Sequence, residues 1–294
     1  MPQNDNDTNQ VIANSQVLTA FDKNNVLDPI IIEHTATQLG LDDTWIQKIW
    51  RWADNYDIME EAIPRDKKAL LALKGIVLEA KGFTELPESI GQLSHLDILD
   101  LNYNHFKALP KSIVELQNLF QLGLNGNRIE ALPINIGQLK NLKTLGLTGN
   151  NITALPKSIG QLKSLTQLTL GSNPLNTLPE SIGQLNRLEV LTLSDNHLSV
   201  LPESIGQLSN LTNLTLSCNQ LNELPTSIGQ LNRLEVLTLS DNHLSVLPES
   251  IGQLSQLKTL HLEGNSIKKF PEIMKHNSDL SVYDDSGLLS KTLY

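Results

Sequence analysis

The 294-residue sequence is poor in cysteine, in aromatic residues and in positive charge. Its single cysteine, Cys218, cannot form an internal disulfide, which favours a reducing cytosol. Aromatic residues make up 4% of the chain, which suits many thin aliphatic layers better than one bulky core. The chain has 22 Lys and Arg against 32 Asp and Glu, and its net charge of -10 opposes the basic field that nucleic acids and anionic membranes attract. We therefore expect neither of these partners.

Long apolar stretches and enzyme signatures are missing as well. No stretch approaches ~18 uninterrupted apolar residues, so no segment is predicted to span a membrane. The first residues, Met1 to Asp7, lack the basic and apolar regions of a signal peptide, and we expect a cytoplasmic protein. The motifs G-x-x-x-x-G-K-S/T, G-x-S-x-G, H-E-x-x-H and paired C-x-x-C do not occur. These absences predict that the protein is not an enzyme and needs no cofactor.

Two ladders of identical residues run through the chain at steps of 23 residues, in one fixed register. The proline ladder consists of Pro87, Pro110, Pro133, Pro156, Pro179, Pro202, Pro225, Pro248 and Pro271. The asparagine ladder consists of Asn104, Asn127, Asn150, Asn173, Asn196, Asn219, Asn242 and Asn265. Two ladders in one register indicate a repeat protein.

Within one repeat, residues 165–179 follow the pattern L-x-x-L-x-L-x-x-N-x-L-x-x-L-P. Leu168 and Leu170 are two residues apart, so they face one side of a short strand. The phrase L-P-x-S-I-G-Q-L then predicts a short 3-10-like return, because it begins with proline and spaces its apolar residues by three. The glycine of this return indicates close packing or special dihedral angles. The asparagine is expected to be buried and to satisfy backbone groups of the loop after each strand.

This pattern resembles the leucine-rich repeat family in its 23-residue form. The resemblance implies an α/β leucine-rich-repeat solenoid, with a curved parallel β-sheet on the concave side, short 3-10 or helical returns on the convex side and an α-helical N-terminal cap. The segment from Trp45 to Leu71 is similar to the N-terminal cap of uncharacterised bacterial leucine-rich-repeat proteins. This second likeness implies a bacterial protein that is cytosolic or effector-like.

Four segments are predicted: a mobile N-terminal tail (1–15), a helical N-terminal cap (16–72), the repeats (73–279) and a C-terminal cap (280–294). The repeats comprise one degenerate unit, with Lys81 in place of asparagine, and eight regular units. A first cap helix is predicted from Asp28 to Gly40, and a second follows it. The apolar stripe of the second helix is Leu41, Trp45, Ile49, Trp52 and Tyr56. These aromatic residues either seal the leucine stack, which we favour, or form a separate ligand-binding module.

Residues 181–209 recur without change as residues 227–255, two units further on. The duplication pairs four acidic residues at a spacing near that of an inverting glycosidase, but it also explains the pairing without catalysis. These residues are Glu189, Asp195, Glu235 and Asp241. Three histidines, His105, His197 and His243, share one slot but lie at least ~10 Å apart, whereas metal–nitrogen bonds measure ~2.0–2.1 Å. No metal site is predicted.

The candidate partner-binding residues lie on the first concave strands, where Ile98 and Phe120 are expected to be exposed beside each other in adjacent units. Exposed aromatic residues supply much of the energy at protein interfaces. The alternative is that these two side chains shield each other or lie under the cap. The central slot of later strands holds Thr169, Thr192, Thr215 and Thr238, which suit strand pairing without implying recognition. The candidates are Asp97, Ile98, Asp100, Asn102, Tyr103, Phe120 and Gln121.

Together these features predict a protein–protein interaction module that binds a macromolecular partner, a protein, on its concave sheet face, without catalysis. Two alternatives stay open: an intracellular regulatory scaffold whose partner binds the cap or the loops, and a bacterial effector that is exported and acts on a host protein. We expect a monomer.

Overall fold

Short strands alternate with 3-10 returns along the repeats. The computed structural model describes residues 43–268, 271, 279–285 and 287–288. Two α-helices, α1 (Thr44–Asn55) and α2 (Lys67–Leu71), precede the strands. The strands are β1 (Gly75–Val77), β2 (Ile98–Asp100), β3 (Gln121–Gly123), β4 (Thr144–Gly146), β5 (Gln167–Thr169), β6 (Val190–Thr192), β7 (Asn213–Thr215), β8 (Val236–Thr238), β9 (Thr259–His261), β10 (Ser281–Asp284) and β11 (Gly287–Leu288). They form one sheet in chain order, parallel from β1 to β10, which confirms the predicted solenoid fold.

The returns lie between consecutive parallel strands. They are the 3-10 helices Glu88–Gln92, Lys111–Glu115, Ile136–Gln138, Lys157–Gln161, Glu180–Gln184, Glu203–Gln207, Thr226–Gln230 and Glu249–Gln253. Every leucine of the L-x-x-L-x-L pattern from β2 to β9 is buried, so the core is a stack of aliphatic layers. The strands are one residue shorter than the leucine pattern suggests: β5 holds Leu168 at its centre, and Leu170 follows it.

The glycine of the return is required by close packing between repeats. A Cβ placed on Gly160 would overlap the backbone carbonyl of Ser181 in the next repeat, and φ is not positive there. The second repeat has Val114 in this slot instead. The next return is correspondingly shortened to Ile136–Gln138, and Asn135 lies outside it with φ -100° and ψ 18°. Of the two expectations for this slot, close packing is confirmed.

The asparagine ladder joins neighbouring repeats; it is buried from Asn104 to Asn242, and Asn265 at its end is half-buried. The Nδ2 group of Asn173 donates to the carbonyls of Leu170 and Gly171, both at 3.1 Å, and to that of Leu147 at 2.9 Å. Its Oδ1 accepts a hydrogen bond from the N–H of Ile152 at 3.0 Å. Because Leu147 and Ile152 belong to the preceding repeat, each amide fastens two repeats together.

Aromatic residues pack against the first, degenerate repeat. Residues 50–294 form one compact unit, distinct from residues 1–49. Within it the Trp52 ring lies 5.9 Å from that of Phe83, and the Tyr56 ring lies 4.9 Å from it, edge to face. Trp52 Nε1 also donates to the carbonyl of Glu85 at 2.9 Å. These contacts favour sealing of the leucine stack over a separate ligand-binding module.

Some terminal predictions fall outside the described residues: the tail, the helix from Asp28 to Gly40 and Leu41 of the second stripe. The second cap helix is present as α1. At the other end β10 occurs where a last strand was expected, but it pairs with β9 at a spacing of 22 rather than 23 residues, because Val282 registers with Leu260. Among the described residues, no helix is long and apolar enough to cross a membrane.

Candidate interaction surface

The outward side chains of the sheet come from four slots in each repeat. Two slots are the first and third residues of each strand. A buried leucine follows the strand, and the two residues after that leucine are the other two slots. We call this surface the sheet face. In the second repeat these slots hold Ile98, Asp100, Asn102 and Tyr103, and in the third the first of them holds Gln121. Asp97 and Phe120 directly precede β2 and β3 and lie at the margin of the sheet face.

One slot of the sheet face has a left-handed backbone. It holds Tyr103 with φ 54°, and the same slot holds glycine or a small residue in the repeats that follow. Those residues are Gly126, Gly149, Ser172, Asp195, Cys218, Asp241 and Gly264. A left-handed conformation costs a residue with a Cβ about 1–2 kcal/mol, and a bulky side chain is uncommon there. Tyr103 is thus the exception in its column, and its side chain is 60% exposed.

The ring of Tyr103 lies across the neighbouring repeat. A Cβ placed on Gly126 would lie 2.5 Å from Tyr103 Cδ1, so the ring occupies space that only glycine leaves open. Gly149, in the same slot of the fourth repeat, has no side chain against it. Two further glycines, Gly123 and Gly146, hold the third position of β3 and β4. The sheet face beside Tyr103 therefore has glycine backbone at these four positions, which we call the glycine floor; Gly126 and Gly149 are half-buried, and Gly123 and Gly146 are buried.

Asp100 and Asn102 lean over this floor from the second repeat. Asp100 Oδ1 would lie 2.9 Å from a Cβ on Gly123, and it accepts a hydrogen bond from the N–H of Asn102 at 3.0 Å. Asn102 Oδ1 in turn accepts from the backbone N–H and the Nδ2 of Asn125 at 2.7 and 3.0 Å. Asn102 is thus partly engaged in joining repeats, a role that its position in the sequence did not indicate.

Ile98 and Phe120 are not register partners. Ile98 pairs with Gln121 across β2 and β3, so the expectation that Ile98 and Phe120 sit side by side is wrong by one residue. The reason is that Phe120 precedes β3 and falls opposite Asp97, whose carbonyl accepts from the Phe120 N–H at 2.9 Å. Phe120 is 38% exposed and Ile98 is half-buried.

Val77 belongs with these residues, although sequence reasoning missed it. It is the third residue of β1, registers with Asp100 and is 61% exposed. Its repeat has Lys81 in place of the ladder asparagine, which makes the outward slots of this repeat harder to identify from the sequence. Val77, Ile98, Tyr103 and Phe120 together form what we call the apolar patch, on the first three strands of the sheet.

Acidic side chains surround the apolar patch. Asp97 forms an ion pair with Lys74, with Nζ and Oδ2 3.7 Å apart. Glu79 is exposed in the first repeat and, within the described residues, has no ion-pair or hydrogen-bond partner. Asp100 is half-buried, and its bond to Asn102 uses Oδ1 alone. Lys143, whose N–H donates to the Phe120 carbonyl at 2.8 Å, adds a positive charge at the margin where the strands begin. The acidic side chains without an ion-pair partner in the described residues, Glu79 and Asp100, therefore lie at the other end of the patch, towards Tyr103.

The far end of the sheet face is more fully paired. Glu235 forms an ion pair with Lys258 at 2.7 Å. Burial acts to raise the pKa of Glu263, but its hydrogen bonds with Ser240 Oγ at 2.6 Å and His261 Nδ1 at 3.0 Å outweigh this and hold the pKa below its usual value. The His261 ring also stacks on Tyr283 at 4.7 Å. These polar groups are therefore paired with one another within the chain.

Cys218 has the environment of an unreactive thiol. Burial, together with the negative charges of Asp195 and Asp241, raises its pKa. A raised pKa disfavours the thiolate that nucleophilic chemistry requires. His105, His197 and His243 are exposed, and in the described ranges no three histidine, cysteine or acidic residues are grouped as metal ligands.

Comparison with known proteins finds leucine-rich repeats along most of the chain. A family model described as leucine rich repeat matches residues 72–129, 140–198 and 209–267. A search of curated sequences finds no significant relative. Among solved structures, a leucine-rich-repeat protein of Leptospira interrogans is 35% identical with a TM-score of 0.50, and the match covers 74% of this chain and 68% of that one.

Two other solved structures are similar at lower identity. A TDR receptor is 25% identical with a TM-score of 0.59, and the match covers 72% of this chain but only 42% of the receptor chain. A chain from an octameric complex of latrophilin 3, Unc5D and the leucine-rich-repeat protein FLRT2 is 24% identical with a TM-score of 0.61, over 72% of this chain and 69% of that one. This last likeness is one of fold alone.

Proposed function

Because the chain belongs to the leucine-rich repeat family, we propose that it is a protein-interaction module whose protein partner binds the apolar patch on the sheet face. The observation that carries the proposal is that Tyr103, a bulky aromatic residue, is exposed in a slot with a left-handed backbone. Its backbone is left-handed, and its ring is 60% exposed, so the tyrosine costs stability without gaining much burial. Strain and exposure of this kind concentrate at binding sites, where an aromatic ring supplies contact energy.

The rest of the apolar patch supports the same proposal. Val77 and Phe120 also expose apolar surface on the first three strands of the sheet. A solvated sheet face gains no stability from such groups, and grouped exposed apolar residues mark interaction sites. Asp97, Asp100, Asn102 and Gln121 supply the polar rim that interfaces place around an apolar centre.

We include in the proposal that the protein acts as a monomer in the cytoplasm, without catalysis and without binding nucleic acid or membranes. Its acidic sheet face would repel phosphate backbones and anionic lipids. Its exposed, unpaired Cys218 fits a reducing compartment. Export as a bacterial effector is the competing reading; it would use the same patch on a host protein, and a secretion assay distinguishes the two.

We expect Tyr103→Ala and Phe120→Ala each to weaken partner binding by more than about 1 kcal/mol, because each substitution removes aromatic contact area with the partner. The partner is first captured from a cell lysate by the wild-type chain and identified. Its dissociation constant is then measured for each variant by titration calorimetry. Melting temperatures should change little, since both side chains are exposed.

Thr192→Ala and Thr238→Ala are the matched controls. Both threonines are half-buried on the sheet face, but they lie in the duplicated half, away from the apolar patch. We expect them to bind the partner like the wild type. Full binding by both aromatic variants, with loss of binding in the threonine variants, would move the site to the duplicated half and reject the proposal.

A further inference from the structure

Three groups converge on the glycine floor next to β2. The Tyr103 ring lies over Gly126, and the Asp100 carboxylate and the Asn102 amide lie over Gly123, with Nδ2 3.0 Å from the position of a Cβ on Gly123. All three side chains come from the second repeat and lean towards the third. Because Gly123 and Gly126 carry no Cβ, these side chains lie directly on the backbone of the third repeat, and Tyr103 is still 60% exposed.

Resting on the proposed function, we propose that this floor binds an arginine or lysine side chain of the partner, within a basic and apolar segment. Asp100 Oδ2 has no hydrogen-bond or ion-pair partner in the described part of the chain, so it is available to pair with a cation. The face of an exposed tyrosine ring also attracts cations. The aliphatic stem of a long basic side chain can lie along the exposed Tyr103 ring while its charged end pairs with Asp100.

Charge complementarity selects this occupant over a neutral or acidic one. Glu79 and Asp100 lie towards the Tyr103 end of the apolar patch, whereas Asp97 is paired with Lys74, and Lys143 lies next to Phe120 at the opposite margin. The net charge of the whole chain is -10, so the long-range field adds to the local one. An acidic partner segment would place like charges together, which interfaces avoid. Arginine suits the site better than lysine, because its planar group can pair with a carboxylate and stack on a ring at once.

Asn102 supplies a donor for the partner's backbone. Its Oδ1 is occupied by Asn125, but its Nδ2 makes no hydrogen bond to any described residue. Asn102 is half-buried, so an amide nitrogen with a free donor at this surface can donate to a partner carbonyl. The arrangement thus offers an acceptor for the cation, a ring for its stem and a donor for the main chain.

The test is selection of random peptides of about a dozen residues, displayed on phage, against the full-length chain. We expect the selected peptides to be enriched in arginine next to an apolar residue. Their affinities, measured by fluorescence anisotropy, should fall about tenfold for Asp100→Asn and for Tyr103→Ala, since each removes one contact to the cation. Binding should also weaken as salt is raised.

Asp195→Asn is the control, because Asp195 is an exposed acid of the sheet face outside the apolar patch and asparagine tolerates its left-handed backbone. It should leave the affinity unchanged. One outcome overturns this inference while the proposed function stands: the selected peptides are not basic, and their affinity falls with Tyr103→Ala but not with Asp100→Asn. Two outcomes overturn both. In the first, neither substitution changes the affinity of the selected peptides; in the second, no basic peptide is selected and the partner binds the Tyr103→Ala variant fully.

Discussion

Replacing Asn173 with alanine is expected to lower the free energy of unfolding by about 1–3 kcal/mol. The substitution removes four hydrogen bonds and leaves the buried N–H of Ile152 without a partner. The three carbonyls each keep another donor: Asn150 Nδ2 at Leu147, Asn196 Nδ2 at Leu170 and the Gly149 N–H at Gly171. One unpaired polar group in the interior of the stack costs about 1–3 kcal/mol. Urea denaturation followed by circular dichroism measures the effect.

Asn176 is the matched control within the same repeat. It is exposed, and its Nδ2 makes one long hydrogen bond, at 3.5 Å, to the carbonyl of Pro174. We expect Asn176→Ala to cost less than about 0.5 kcal/mol, and the same holds for the exposed His197→Ala. Equal losses for Asn173→Ala and either control would mean that the ladder does not fasten the repeats.

Replacing Trp52 with alanine is expected to cost about 3–5 kcal/mol, the usual range for a buried tryptophan. The indole is 6% exposed, contacts the rings of Tyr56 and Phe83, and donates to the Glu85 carbonyl. In a repeat protein the loss is felt by the nearest repeat first, so β1 should fray. Hydrogen exchange of the β1 amides, together with denaturation curves, measures both effects.

Tyr56→Phe provides the comparison for the aromatic cluster. It keeps the ring that packs on Phe83 and removes only a hydroxyl, which hydrogen bonds to Thr84 Oγ1 at 2.9 Å in an exposed position. The expected loss is below about 1 kcal/mol. If Trp52→Ala also unfolds like the wild type and β1 exchanges no faster, the cluster does not seal the leucine stack.

The parts of the fold that recur were predictable, because period and residue type determine them together. The leucine pattern, the asparagine ladder and the return phrase each fixed a slot, and the strands, the buried amides and the 3-10 helices occupy those slots. The departures come from single residues whose effect depends on a neighbouring repeat. Val114 coincides with a shortened next return, and β10 arrives one residue early.

The candidate surface was harder to predict because its geometry lies between repeats. Sequence reasoning selected Tyr103 for exposure, but not the left-handed backbone of its slot, since Tyr103, Ser172 and Cys218 share no residue type. The glycines of that slot were a signal that could have been used. The lean of the Tyr103 ring over Gly126 cannot be read from spacing, because it depends on side-chain direction across adjacent strands.

The most direct test of the proposed surface compares partner binding by Gly126→Ala and Gly149→Ala. Both glycines are left-handed, with φ 65° and 69°, so an alanine strains the backbone by a similar amount and should lower both melting temperatures alike. Only the Cβ at Gly126 would strike the Tyr103 ring; that at Gly149 lies 3.6 Å from the nearest atoms, which belong to Gly126. If the ring is the anchor of the interface, Gly126→Ala weakens binding about as much as Tyr103→Ala, while Gly149→Ala binds like the wild type. Equal binding by the two alanine variants would contradict the account, because the position of the Tyr103 ring would then not matter to the partner.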